Sequence, residues 1–191
     1  NMLSVCVTVD LRRYLSNTDD IGICNFSGMN VIEISDNIDE SFNETLSKVV
    51  NKTKRMKSNH LALKGALDFS KTFTNVGFKN MDAYFQNLGK EIVRAGVSNP
   101  WFSNVGVISD GKINFGSLEI EDCYMIGPAM FPPGSGIVPS TYNNTLTLSV
   151  NFFQSTLQKE VMEQFLDTIL ANLRSCAGMT DKMISPEITV D

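Results

Sequence analysis

The sequence predicts an α/β fold, a two-layer sandwich in which a mixed β-sheet carries helices packed mainly on one face. Three observations lead to this prediction. Apolar and polar residues alternate near the N-terminus, apolar stripes at helical spacing fill the middle of the chain, and alternating segments return before a last helical stripe. We expect one domain over residues 1–177, followed by a polar tail over residues 178–191.

The first half of the chain predicts two strands and three helices. Alternation indicates strands over residues 3–9 and 29–34. Asp39 or Ser41 can cap a helix that begins near Phe42, and its apolar stripe ends at Met56. Further helical patterns cover residues 61–69 and 78–94, and Gly96 is a suitable stop for the second of them.

The second half predicts mostly strands. They are expected over residues 102–108, 118–125, 136–142 and 145–153, with a loop over 127–136. Asn143 and Asn144 tolerate positive φ and should turn the last hairpin. Ser155 to Gln158 reads as a capping box that opens the longest helix. The apolar stripe of that helix comprises Leu157, Val161, Phe165, Ile169 and Leu173.

Composition excludes several classes of protein. Apolar residues make up 42% of the 191 residues, which is ordinary for a globular domain, and the net charge of -5 disfavours nucleic acid as a partner. No apolar stretch reaches the roughly 20 residues of a membrane span, so a cytoplasmic location is expected. Four cysteines without a Cys-x-x-Cys pair, beside one histidine, argue against a metal site. Asn1 before Met2 suggests an introduced start within a longer natural protein.

A self-contained active site is not evident in the sequence. His60 has no positioned Asp, Ser or Cys partner and reads as a solvated or half-buried histidine near a helix end. Gly134-Ser135-Gly136 lacks the lysine and helix context of a phosphate loop. The acidic groups at 19–20 and 119–122 read as solvated faces. The basic run over residues 48–57 is either a solvent-exposed helix face or a contact for a phosphate or an acidic carrier protein.

Short segments in order along the chain resemble the C-terminal lobe of the condensation-domain, alcohol acetyltransferase and chloramphenicol acetyltransferase-like acyltransferases. The first is Val9-Asp10-Leu11-Arg12, which is similar to the Val-Asp-Leu-Arg element that opens that lobe. The others are Ile21-Gly22 with Asn25-Phe26, Ser98-Asn99-Pro100-Trp101-Phe102, Ser103-Asn104-Val105-Gly106, Asn114-Phe115-Gly116 and the hairpin Tyr142-Asn143-Asn144-Thr145-Leu146-Thr147-Leu148-Ser149. Together they span nearly the whole chain.

The main departure from the family is the His-His-x-x-x-Asp-Gly motif, which supplies the general base and belongs upstream of the Asp-Leu-Arg element. Only eight residues precede Val9, so the motif has no place in this chain. The segment Asn59 to Gly65 imitates the pattern, but Lys64 replaces the Asp and the segment lies downstream of Arg12. We interpret this likeness as a coincidence. Two inserted residues before Asn25, and Asn114 where the family has Asp, are smaller departures.

The resemblance implies acyl transfer from a coenzyme A or phosphopantetheine thioester, used as co-substrate, to an alcohol or amine. It implies that the strand with Ser103 and Asn104 lines the tunnel between the lobes, where one of them, with Ser103 favoured, would donate to the oxyanion or orient the thioester. The alternative is that both side chains only satisfy a sheet edge. Arg12, or else Arg13, would pair with the Asp of the histidine motif. No catalytic residue, metal or permanently bound cofactor is expected here.

The implied partners are the missing N-terminal lobe and an acyl-carrier or peptidyl-carrier protein. Apolar surface exposed near Phe102, Phe131 and Ile137 would mark the docking face, and it would also allow an oligomer. The loop at Phe131-Pro132-Pro133 would reach towards the other lobe.

Three functional hypotheses follow. The chain is half of an acyltransferase and inactive alone, or it is a non-catalytic binding or assembly module with the same fold. The third hypothesis is a small acyltransferase whose site forms between subunits, which requires His60 to face Ser103 of another copy.

Overall fold

The computed structural model describes residues 2–17, 25–35, 40–95, 99–128 and 134–178. It divides into two compact units, residues 1–153 and 154–191. Within the described residues, the first unit contains a mixed β-sheet with three α-helices, and the second contains one α-helix. The chain is therefore a mixed α/β protein, as the sequence predicts.

The elements follow one another in an order close to the predicted one. The strands are β1 (Met2–Asp10), β2 (Ser27–Ser35), β3 (Trp101–Phe102), β4 (Gly106–Ser109), β5 (Asn114–Phe115), β6 (Leu118–Glu119), β7 (Ser135–Tyr142) and β8 (Thr145–Phe152). The α-helices are α1 (Phe42–Ser58), α2 (Leu61–Val76), α3 (Met81–Ala95) and α4 (Lys159–Ala177). Two 3₁₀ turns, Leu11–Tyr14 and Phe78–Asn80, follow β1 and precede α3.

The main sheet combines parallel and antiparallel pairs. Strand β1 pairs antiparallel with β2 and parallel with β3, while β7 pairs parallel with β3 and β4 and antiparallel with β8. Strands β3 and β4 both lie along one edge of β7, because their partners run in order from Gly136 to Tyr142. Strands β5 and β6 form a separate small hairpin.

The strand predicted over residues 102–108 is interrupted, although its ladder with β7 continues. The amides of Ser103 and Val105 donate to carbonyls of β7 at 3.0 Å each, so the backbone stays in register through the break. The Asn104 side-chain oxygen accepts from the Gly106 amide at 2.9 Å, and Gly106 has φ of 81°. A side-chain turn with a glycine in the left-handed region is what breaks the strand.

Helices α1 and α2 cover one face of β1 and β2. The buried cluster there consists of Val9, Leu11, Ile32, Met56 and Ala62. The approach is close at Gly28, where a Cβ atom would lie 2.8 Å from the Ala62 carbonyl oxygen. Glycine at this position therefore allows α2 to pack directly on the strand.

The helix predictions are confirmed in position and corrected in length. Ser41 caps α1 with a capping box completed by Glu44. Helix α2 continues to Val76, beyond the predicted end at residue 69, because Phe69 and Phe73 pack against Phe85 of α3. Helix α3 begins at Met81 after a 3₁₀ turn, and Gly96 lies outside the described residues.

Two predictions for the second half are wrong. Only Leu118–Glu119 of the strand expected over 118–125 pairs with another strand, since the residues that follow bond to side chains of the main sheet. Helix α4 is the longest, with 19 residues, but it begins at Lys159 and has no side-chain hydrogen bond at its N-cap, Gln158. The segment at Ser155 forms a turn before the helix.

The hairpin of β7 and β8 turns at Asn143 and Asn144, with φ of 46° and 61°, as predicted. The loop at Phe131-Pro132-Pro133 lies outside the described residues. Among the described helices, none has the length and apolar character required to cross a membrane.

Candidate functional site

The first candidate site lies where the parallel strands β1 and β3 part. Their register covers only two pairs, which join Cys6 and Val7 to Trp101 and Phe102. At the next position the Thr8 hydroxyl donates to the Ser103 hydroxyl at 2.9 Å. The carboxyl end of a pair of parallel strands thus carries two linked hydroxyl groups at a place where the sheet begins to open.

The face of the sheet that carries this pair is the one opposite α1 and α2. Val9 is buried under these helices, and side chains alternate along a strand, so Thr8 points to the other face. Ser103 contacts Thr8 and shares that face. Beside it, Met29 pairs with Thr8 across β1 and β2 and remains more than half exposed. Ser103 is therefore not covered by α1 or α2.

On the same face, residues 120–127 cover β7. We call them the covering segment. The Met125 amide donates to the Ser140 hydroxyl at 3.1 Å, and the Ser149 hydroxyl donates to the carbonyls of Met125 and Val138. Ser140 and Val138 are buried beneath it. The covering segment is held by side chains of β7 and β8, so alternation within its own sequence could not reveal its conformation.

Tyr142 fixes the point where the covering segment meets the β5–β6 hairpin. Its hydroxyl accepts from the Ile113 amide at 2.9 Å and donates to the Ile120 carbonyl at 2.8 Å, and the residue is only 2% exposed. The hairpin beyond it presents Phe115 and Leu118, each 69% exposed. One buried tyrosine thus anchors an apolar tip that projects into solvent.

Trp101 is held tightly next to Ser103. A Cβ atom at Gly136 or at Gly127 would overlap its indole ring, so both positions require glycine for this packing. Because Trp101 cannot shift without disturbing β7, the backbone that leads to Ser103 is fixed as well. The packing of Trp101 against Gly127 and Gly136 therefore constrains the backbone of the site next to β7.

Ser103 and Asn104 differ in their surroundings. Ser103 is half-buried and bonded to Thr8, whereas Asn104 is exposed and its side-chain oxygen is engaged by the Gly106 amide. Of the two residues, only Ser103 presents a hydroxyl group, and it lies on the same face of the sheet as Thr8.

Arg12 follows β1 and is engaged by its own chain. Its Nε donates to both carboxylate oxygens of Asp10, at 2.9 and 3.0 Å. This bond holds the pKa of Asp10 below its ordinary value. The two side chains are 58% and 54% exposed, and the alternation of β1 puts Asp10 on the face of Thr8.

His60 lies on the other side of β1, at the junction of α1 and α2. It is the N-cap of α2, with φ of 53°, and its ring meets Tyr14 edge-on at 4.6 Å. Since α1 and α2 pack on the face opposite Thr8, His60 does not face Ser103 within one chain. In the part of the chain that the structure describes, no group of three His, Cys, Asp or Glu residues could hold a metal ion.

The structure describes two of the three residues that were predicted near the docking face. Phe102 and Ile137 are half-buried, and Phe131 lies outside the described residues. Larger exposures occur nearby along the sequence, at Val105, Val107, Phe115, Leu118 and Ile126.

Comparison with known proteins finds no relative of this chain. No family model matches the chain, and neither does a curated protein or a solved structure. The geometry of the described residues therefore carries the functional argument.

Proposed function

We propose that this chain is the C-terminal half of a condensation-type acyltransferase. In this proposal it forms one wall of the site where an acyl group passes from a coenzyme A or carrier-protein thioester to an alcohol or amine. The Thr8–Ser103 hydroxyl pair carries the proposal, because it lies at the opening between parallel strands and away from the packed helices. A thioester co-substrate of this kind is consistent with a cytoplasmic enzyme.

The pair suits an oxyanion contact. A hydroxyl has one hydrogen to donate and two lone pairs to accept with. Thr8 donates to Ser103, so the Ser103 hydrogen is free to point at a substrate oxygen, and among the described residues Ser103 has no other side-chain bond. Donation from Thr8 also polarises the Ser103 hydroxyl and strengthens it as a donor. A fixed donor of this type stabilises the negative oxygen of a tetrahedral intermediate.

Proton transfer needs a base that this chain does not bring to Ser103. The acceptor alcohol or amine must lose a proton as it attacks, and the usual base is a histidine within hydrogen-bond reach. His60 lies at the junction of α1 and α2, on the opposite face of β1. We propose that the N-terminal half of the enzyme supplies the base and that this chain alone is inactive.

Docking of that half explains the exposed apolar residues. Val105 and Val107 flank the break after Ser103, while Phe115 and Leu118 form the tip anchored by Tyr142. Exposed apolar side chains that form one continuous patch are typical of an interface, and we propose that these residues form such a patch. The same surface would take a second copy of the chain if the other half were absent.

The remaining hypotheses have weaker support. An inter-subunit site needs His60 in the other copy to reach Ser103, and among the described residues no hydrogen-bond partner orients that ring as a base. A non-catalytic module with this fold would keep the apolar docking surface, and in it the linked hydroxyls would serve only as a cross-strand pair.

The thioester site can be tested with S-acetylpantetheine, which has no phosphate. We expect this probe to shift the amide signals of Thr8, Ser103 and Val105 in two-dimensional NMR spectra. Ser103→Ala should weaken binding about tenfold, since it removes a hydrogen-bond donor. Ser47→Ala is the matched control, because Ser47 is exposed on α1 and bonds only within that helix. No shift at the three residues, or equal weakening by the control, would refute the thioester site.

Turnover by the isolated chain is a second test. We expect no release of coenzyme A from acetyl-coenzyme A above background, with or without an alcohol acceptor. Steady release that disappears in His60→Ala would overturn the half-enzyme proposal and support the inter-subunit site.

A further inference from the structure

Three basic side chains that form no ion pair among the described residues line a pocket at the junction of α1, α2 and the 3₁₀ turn after β1. The pocket has a volume of about 400 Å³ and is open to solvent. Its lining is Arg13, Tyr14, Lys54, Lys57, Ser58 and His60, with no acidic side chain among them. The volume is in the range of small-molecule sites. The positive lining is unusual in a chain whose net charge is -5.

The basic run of α1 divides between two faces of the helix. Lys48 forms an ion pair with Glu40, and Lys52 donates to the Glu33 carbonyl. Lys54 and Lys57 are three residues apart, so they lie on one face of α1, and both line the pocket. Lys48 and Lys52 thus have partners within the protein, whereas Lys54 and Lys57 line the pocket.

None of the ion pairs among the described residues involves Arg13, Lys54 or Lys57. Neighbouring cations repel one another, and an arrangement of three around a cavity gains free energy when an anion enters. A phosphate group carries close to two negative charges and accepts several charge-assisted hydrogen bonds, which matches this lining.

The aromatic wall of the pocket is fixed. The Tyr14 hydroxyl donates to the Lys57 carbonyl at 3.0 Å, which ties the 3₁₀ turn to the end of α1. Arg13 lies 5.7 Å from the centre of the Tyr14 ring, and His60 meets that ring edge-on. Positions 13 and 54 are distant in sequence, and this packing brings them to one cavity.

We propose that this pocket binds a small molecule that carries a phosphate group. Arg13, Lys54 and Lys57 hold the phosphate, and the rings of Tyr14 and His60 contact the organic part of the ligand. The site is independent of the thioester site, because it lies on the helix side of β1 while Ser103 lies on the opposite face. A small phosphate compound suits the pocket better than an acidic protein surface, because the rings of Tyr14 and His60 offer its organic part a contact beside the cations.

Inorganic pyrophosphate and phenyl phosphate are suitable probes, measured by isothermal titration calorimetry on the full chain. The double variant Lys54→Gln/Lys57→Gln should weaken pyrophosphate binding at least about tenfold, because it removes two charge-assisted hydrogen bonds. Raising the salt concentration should weaken binding to the unaltered chain. Phenyl phosphate should bind more tightly than inorganic phosphate, and His60→Asn, which suits the left-handed backbone, should reduce that difference.

The double variant Lys79→Gln/Lys90→Gln is the charge-matched control, since both lysines are exposed and neither lines the pocket. Binding that falls equally in the control, or that is unchanged in the Lys54→Gln/Lys57→Gln variant, would overturn the proposal.

Lys57 lies in the last turn of α1, where a cation also favours the helix end. Thermal unfolding of each variant is therefore measured too, and lost stability with unchanged binding would show that the lysines serve only the helix. The acetylpantetheine test does not depend on this result.

Discussion

The two ends of the main sheet are held together by different forces. The helix-covered half, formed by β1, β2, α1 and α2, is held by apolar burial around Val9, Ile32, Met56 and Ala62. In the strand half, formed by β7, β8 and the covering segment, hydroxyl groups that bond to backbone atoms hold the covering segment to the sheet. Apolar burial has no preferred direction, whereas each of these hydrogen bonds fixes one backbone atom.

This difference has a functional consequence. The helix-covered half buries a core around Val9 and Ile32, and it also leaves large apolar side chains such as Met29 and Phe42 exposed. A polar pocket opens at one end of it. In the strand half, Val107, Phe115 and Leu118 are exposed, and the Tyr142 hydroxyl fixes the backbone on both sides of the β5–β6 hairpin that carries Phe115 and Leu118. A surface that is apolar and rigid at once is suited to docking with little loss of conformational entropy.

The largest effect is expected from a cavity in the helix-covered half. Met56 is 4% exposed and packs with Val9 and Ile32. Met56→Ala should lower the free energy of unfolding by about 2–5 kcal/mol, because it removes buried methylene groups and leaves a void. Urea denaturation followed by circular dichroism measures this loss. Val50→Ala, on an exposed position of the same helix, should change it by less than about 0.5 kcal/mol. Similar losses in both variants would mean that burial does not hold this half together.

The same contrast explains what the sequence could predict. Strands β1 and β2 and the start of α1 follow from alternation and from the Ser41 capping box, which are local signals. The turn at Asn143 and Asn144 is local as well. In contrast, a strand was predicted over residues 118–125, which include most of the covering segment, and the true conformation there depends on Ser140 and Ser149, which lie later in the chain.

The candidate site was predicted in part. Ser103 could be selected from the resemblance, but its partner Thr8 could not, because the register of β1 and β3 is a property of the folded sheet. The Asp10 partner of Arg12 was also missed, although it stands two residues earlier. The phosphate pocket combines Arg13 with Lys54 and Lys57, and only the excess of lysine in α1 hinted at it.

An intermediate effect is expected from the buried hydroxyl of the strand half. Tyr142→Phe leaves the Ile113 amide and the Ile120 carbonyl without their partner. The loss should be about 1–3 kcal/mol, less than for Met56→Ala, since the ring remains in place. Amide hydrogen exchange at Ile113 should become faster, which burial alone would not predict. Tyr124→Phe, at an exposed tyrosine, is the control. Unchanged exchange at Ile113 would show that hydrogen bonding does not hold the strand half.

The smallest effect is expected from the exposed pair of Asp10 and Arg12 at the end of β1, which is neither a buried core nor a buried hydrogen bond. Arg12 lowers the pKa of Asp10, so the carboxylate favours the folded state. The stabilisation is fully present above the unfolded-state pKa of about 3.9, and it is lost as the pH falls through the lower folded-state value. Solvent and salt screen an exposed pair, which keeps the contribution small. Asp10→Asn retains one acceptor oxygen for the Arg12 amide, and it removes the charge and one of the two oxygens that accept from Arg12 Nε. Urea midpoints should therefore show a slight loss of stability in this variant at pH 7. The loss should disappear at pH 2 and shrink in 0.5 M salt, where the screening length is about 4 Å.

Asp110→Asn, at an exposed site, is the control and should show no such pH-dependent loss of stability. A loss for Asp10→Asn as large as that for Tyr142→Phe would mean that this pair belongs among the forces that hold the sheet together.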